Sequence, residues 1–343
     1  MVGKRPAAWA GLAAMAGMAL AACGGGSSSS GGTTITLYNG QHPQTTAALV
    51  SAFEKASGIS VKVRDGDEDT LASQIVQEGS GSPADVYYAE NSPALQYLGE
   101  KGLLAPVAPP ALAAVPAKDS SPDGQWAGVS ARVSGFVYST KLLSQAQLPA
   151  SVLDLAGPQW AGKVGLAPSE TDFEPLVTSV AKAKGQAAAI AWLKALKSNA
   201  GSHVYPDNES LSAAVNSGQV ATGIIDNYYW YRLHYELGDG GTHSAFAFFS
   251  AGDPGYVVDV SGAAVLRSGR HQAAAQQLVA FLVSKAGQEI IAHSQSYEYP
   301  LGSGVTTAQP LRPFDQLQPA QLSVTDLGDG SVALALLRQA QLL

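Results

Sequence analysis

The chain has 343 residues, a formal net charge of −7, 46% hydrophobic residues and 14% charged residues. This is a globular composition, long enough for two compact units of roughly 100–200 residues each, and its acidic balance argues against a nucleic-acid partner, which calls for a basic face. The lone cysteine, Cys23, excludes an internal disulfide, a cysteine-cluster metal site and a thiol nucleophile in the folded body.

The first segment accounts for that cysteine. Lys4 and Arg5 precede an apolar stretch from Pro6 to Ala22, the layout of a secretory signal over residues 1–22. The stretch is rich in small residues and short of the ~20 strongly apolar ones that a membrane span needs. It ends in Leu20-Ala21-Ala22-Cys23, which resembles a bacterial lipobox and implies cleavage before Cys23 and lipidation of its thiol. Residues 23–33 are almost all Gly and Ser and read as a flexible tether. The folded body is therefore expected to be exported and lipid-anchored, at the outer face of the cytoplasmic membrane or in the periplasm.

The body then alternates strand and helix patterns. Thr34–Tyr38 alternates as a strand does, and Thr45–Ser57 places Leu49, Val50 and Phe53 at helical spacing before Gly58. Residues 59–63 read as a strand, 71–77 as a helix and 84–88 as a third strand. Further on, 164–166, 220–225 and 263–266 read as strands. Helices are expected near 175–184, through Lys197, over 228–237 and over 272–284. This order predicts an α/β architecture with mostly parallel sheets, in two halves facing a cleft. Asp65, Asp67, Glu68 and Asp69 fail as a calcium loop, because Val76 stands where the twelfth-position glutamate belongs, and they read as a solvated loop. No G-x-S-x-G elbow, H-E-x-x-H, Walker loop or post-strand G-x-G-x-x-G occurs.

Four stretches follow strands directly: Tyr38–His42, Ala89–Pro93, Pro168–Phe173 and Asp226–Trp230. Ligands of α/β sheets collect at such carboxyl ends, so the four can line one cleft. Taken singly, a Tyr-Tyr-Trp run reads first as packing, a lone His as a satisfied side chain, and Glu90 as uninformative.

Together the stretches ITLYNGQH, GSPADVYYAENSPAL, NYYW, SGAAVL and EYPL resemble the bacterial periplasmic ferric-iron-binding proteins, the substrate-binding components of Fe³⁺ ABC importers. The resemblance runs from Ile35 to Leu301. It implies a two-lobed type II periplasmic-binding fold, with lobe 1 at 34–131 and 259–309 and lobe 2 at 132–258 and 310–343. It also implies a monomer that binds Fe³⁺ through His42, Glu90, Tyr228 and Tyr229 and docks on an ABC permease. Fe³⁺ is a hard cation that favours oxygen donors, and it can displace the proton of a phenol whose unperturbed pKa is about 10. Adjacent tyrosines point apart in a regular element, so Tyr228 and Tyr229 are expected at an irregular strand-to-helix junction that Asp226-Asn227 could cap.

Members of that family commonly add an exogenous phosphate or carbonate at a helix N-terminus bearing small neutral residues. Here the matching positions are Glu170, Thr171 and Asp172, with Asp226 in place of an asparagine and Asn91 and Asn208 as polar neighbours. Those carboxylates would repel phosphate, so Glu170 or Asp172 is expected to supply an oxygen itself, or else to cap the helix and face solvent, with Arg132 offsetting charge. Two further readings compete. One is a binding protein for another metal, an iron chelate or a small organic acid. The other is an enzyme built on a Glu90/Asp172 pair, for which no nucleophile or cofactor motif is present.

Overall fold

The computed structural model describes residues 32–343, so the expected signal, Cys23 and nearly all of the tether lie outside the described residues. In chain order the elements are β1 (Thr34–Asn39), α1 (Pro43–Ser57), β2 (Ser60–Asp65), α2 (Glu68–Glu78), β3 (Val86–Ala89), α3 (Ser92–Glu100), β4 (Leu104–Ala105), α4 (Pro109–Leu112) and β5 (Trp126–Ser139). They continue with β6 (Val164–Gly165), α5 (Phe173–Lys184), α6 (Gln186–Ala200), α7 (Asn208–Ser217), β7 (Thr222–Asp226), α8 (Asn227–Gly241) and β8 (Ser244–Ala247). The last are β9 (Val258–Leu266), α9 (Gln272–Leu282), α10 (Lys285–His293), β10 (Tyr299–Pro300), α11 (Val324–Leu327) and α12 (Ser331–Gln339). No helix among the described residues is long and apolar enough to cross a membrane.

Local chemistry sets the boundaries near the cleft. Pro43 opens α1, where its missing N–H costs nothing, and Gly58 closes it in the left-handed region at φ 71°. The Asp67 side chain accepts from the Thr70 N–H and starts α2. One face of α1, carrying Leu49, Val50 and Phe53, is buried in the hydrophobic core.

The strand order is β2-β1-β3-β9-β5-β7-β6. The outer pairs β1–β2, β1–β3 and β6–β7 are parallel, as the strand–helix alternation suggests. The centre corrects the mostly parallel expectation: β3–β9, β9–β5 and β5–β7 are antiparallel. The cause is β5. Residues Trp126–Val133 pair with β9, whereas Ser134–Tyr138 pair with β7. One strand thus serves two sheet regions, and the change of partner falls between Val133 and Ser134. All fourteen of its residues are buried, so it shows no polar–apolar alternation and escapes sequence reading.

Candidate metal centre

Each of the four strand-end stretches delivers side chains to one place. His42 sits at the start of α1, and its backbone N–H donates to Gln41 Oε1 at 2.7 Å. Gly40 just before it packs on α2 so closely that an added Cβ would lie 2.5 Å from the Glu68 Cβ. Glu90 follows β3, and Glu170–Asp172 precede α5. Tyr228 and Tyr229 occupy the first turn of α8, directly after β7.

The two tyrosines converge rather than diverge. Their ring centroids are 4.0 Å apart, and both hydroxyls donate to the same atom, Asp172 Oδ2, at 2.9 Å. The Tyr228 hydroxyl also lies 2.8 Å from Glu90 Oε1, and the Tyr229 hydroxyl lies 3.3 Å from Glu170 Oε2. His42 Nε2 approaches Glu90 Oε1 at 3.5 Å, and its ring meets Tyr228 edge-on with centroids 4.7 Å apart. A cavity of about 360 Å³ opens beside the cluster, lined in part by His42, Glu90, Glu170 and Thr171.

Behind the cluster Arg132 is wholly buried in β5. Its guanidinium lies 3.4 Å from Asp172, 3.4 Å from Asp226 and 3.2 Å from Glu298. The Asp226 side chain makes no capping bond to α8, contrary to expectation, because it is turned toward Arg132. Asn227 instead accepts from the Val133 N–H at 2.9 Å and donates to the Tyr297 carbonyl at 3.0 Å, fixing α8 to the centre of β5. Asp172 neither caps α5 through its side chain nor faces solvent. Asn91 is buried and bridges Asp172 Oδ1 at 3.1 Å to Glu68 Oε1 at 2.6 Å. Glu68 is therefore part of the wall of the site, not of a solvated loop. Asn208, the first residue of α7, is also buried and lines a small cavity shared with Asp172 and Asp226. Thr171 reaches Asn91 Nδ2 at 3.3 Å.

Burial and charge set the protonation states. Burial first, then Asp172 and Glu90, hold both tyrosine pKa values well above the usual phenol range. Burial and Asp172 raise the Glu90 carboxyl well above its ordinary value. Burial, with Arg232 and Arg132 nearby, keeps the His42 imidazole pKa well below its ordinary value. The His42–Glu90 approach is therefore a contact between an imidazole and a carboxyl that both resist charge, not a strong ion pair. His42 Nδ1 is buried and has no hydrogen-bond partner.

Without a cation, the cluster is a set of protonated phenols donating to a carboxylate. With one, it offers phenolate and carboxylate oxygens and a neutral imidazole converging on one point. No three His, Cys, Asp or Glu side chains among the described residues are placed to hold an ion by themselves. The phenols are what make the donor set.

Sequence reading missed Glu68 and Glu298 as parts of the site's wall. Glu298 accepts from Gln41 Nε2 at 3.2 Å and from Ser130 Oγ at 3.0 Å. Its signal was present in EYPL, but the sequence carries no sign that this segment returns to β5.

Residues 81–326 match the family described as bacterial extracellular solute-binding protein. The chain is 38% identical over 309 residues to the Fe(3+)-binding periplasmic protein of Serratia marcescens, covering 90% of each chain. It is 39% identical over 308 residues to the major ferric iron-binding protein of Neisseria meningitidis serogroup B, covering 89% of this chain and 92% of that one. Among solved structures, iron-bound HitA from Pseudomonas aeruginosa superposes with a TM-score of 0.86 at 44% identity, over 90% of this chain and 99% of that one. The two-lobed type II α/β fold of ferric-binding periplasmic proteins is shared with that structure.

Proposed function

The chain belongs to the bacterial extracellular solute-binding proteins, and we propose that it captures ferric iron in the Tyr228–Tyr229 cluster and delivers it to an ABC permease for uptake. The observation that carries this reading is the convergence of two phenol hydroxyls on one carboxylate oxygen, with Glu90 and His42 in contact. A hard trivalent ion prefers oxygen donors, and it stabilises phenolate where buried carboxylates alone disfavour it. Tyr228, Tyr229, Glu90 and His42 are the ligands in this reading. Because the phenols must lose protons, iron binding releases protons, and affinity falls as pH falls.

Lobe 1, 34–131 with 259–309, carries His42 and Glu90. Lobe 2, 132–258 with 310–343, carries both tyrosines. A ligand held by both lobes links iron capture to closure, and the closed form is what a permease would recognise. The protein acts as a binding protein rather than an enzyme, as a monomer. It is exported and tethered through a lipid on Cys23.

The test is addition of Fe³⁺ to purified protein. A tyrosinate-to-iron charge-transfer band should appear in the visible, and Tyr228→Phe and Tyr229→Phe should each weaken or abolish it. A colourless complex, or a band unaffected by both substitutions, contradicts the reading.

A further inference from the structure

His42, Glu90, Tyr228 and Tyr229 give four donors to an ion that accommodates about six. The structure holds a fifth oxygen in the remaining space. Asp172 Oδ2 lies 2.9 Å from both phenol oxygens, and Tyr228 Oη lies 2.8 Å from Glu90 Oε1. For a small hard ion with bonds of about 2.0 Å, adjacent octahedral donors stand about 2.8 Å apart. The hydrogen-bond lengths of the cluster are therefore also ligand-to-ligand edges, and one ion can replace the two phenol protons with little movement of the oxygens.

The other half of the Asp172 carboxylate is spoken for. Oδ1 faces Arg132 Nη2 at 3.4 Å and Asn91 Nδ2 at 3.1 Å, and Asn91 is itself fixed by Glu68. Oδ1 thus anchors the group, and Oδ2 is aimed at the phenols. Glu170 is not a comparable donor: it is only partly buried, reaches one tyrosine alone at 3.3 Å, and nothing anchors its second oxygen. Two phenolates with Glu90 and Asp172 carry four negative charges, one more than the ion's three, and the excess faces Arg132.

We propose that Asp172 is a direct oxygen ligand of the bound metal, a built-in anion that makes iron binding independent of phosphate or carbonate. This rests on the ferric reading above. Its corollary is exclusion: an external anion entering the cluster would meet Glu90, Glu170 and Asp172 in a poorly solvated space, and like charges there repel strongly.

The experiment is titration with Fe³⁺ in buffer freed of phosphate and carbonate, read by the visible band. The wild-type protein should develop the full band without either anion, and adding them should not increase its affinity. Asp172→Ala should bind about 100-fold more weakly in that buffer, on the scale of losing a well-placed member of a metal site, and added formate or phosphate should restore the band. Asp172→Asn, which keeps the side chain's shape, should show the same loss if the oxygen's charge matters and the fold is intact. If wild type shows the band only after phosphate or carbonate is added, the ferric reading stands and the role of Asp172 falls. If Asp172→Ala binds iron as tightly as wild type without any anion, the role of Asp172 falls likewise. If no anion yields a tyrosinate band at all, both readings fall.

Discussion

Arg132 shows how a single residue sets the chemistry of this cleft. It is wholly buried in β5 and faces Asp172, Asp226 and Glu298. Desolvating a cation is costly, and its three carboxylate neighbours offset that cost only while they all remain in place. Arg132→Met should therefore destabilise the protein by about 3–5 kcal/mol, because it leaves buried carboxylates without their cation. Denaturant unfolding measures this, and a loss under about 1 kcal/mol would mean that the cluster relaxes by taking up protons instead. Sequence showed Arg132 only as a lone charge in an apolar run. The ligand candidates were easier to read: His42, Glu90, Tyr228 and Tyr229 each follow a strand within a recognisable motif. Glu68 was misread, because its acidic neighbours suggest a solvated turn, while its actual partners, the Asn91 backbone and amide, come from the loop after β3.

At the scale of elements, β5 decides both the fold and the site. It brings Arg132 beneath the cluster, anchors Asn227 at the start of α8, and passes from β9 to β7 at Val133–Ser134. The parallel outer strands were legible because strand and helix alternate there. The antiparallel centre was not, since a strand buried on both faces lacks the period-two pattern that marks a half-buried one. Helix α5 offers a separate test, away from the ligands. Its Glu174 is pushed up to about 8, first by burial and then by Asp69 and Asp67, while Arg338 on α12 draws it down. The native state then holds a proton that the unfolded chain has lost, so stability falls as pH rises from the ordinary value of 4.5 to about 8. Glu174→Gln should flatten that part of the stability–pH profile and stabilise the protein most at its alkaline end. An unchanged slope would contradict the assignment.

At the scale of the whole molecule, the acidic excess has a location. Part of it gathers in the cleft as Glu68, Glu90, Glu170, Asp172, Asp226 and Glu298, arranged around Arg132 and two phenols. Such a cleft is poorly stabilised on its own and gains from a cation, which is the right bias for a protein that must bind before it closes. The relatives in Serratia and Neisseria, with their ferric names, fit that electrostatic picture. The most direct measurement is a crystal structure of the iron-loaded protein with the metal located by its anomalous signal. The account predicts one iron bonded to Tyr228 Oη, Tyr229 Oη, Glu90, His42 and Asp172 Oδ2, with no phosphate or carbonate on it. Iron bound without the two phenolate oxygens would contradict it.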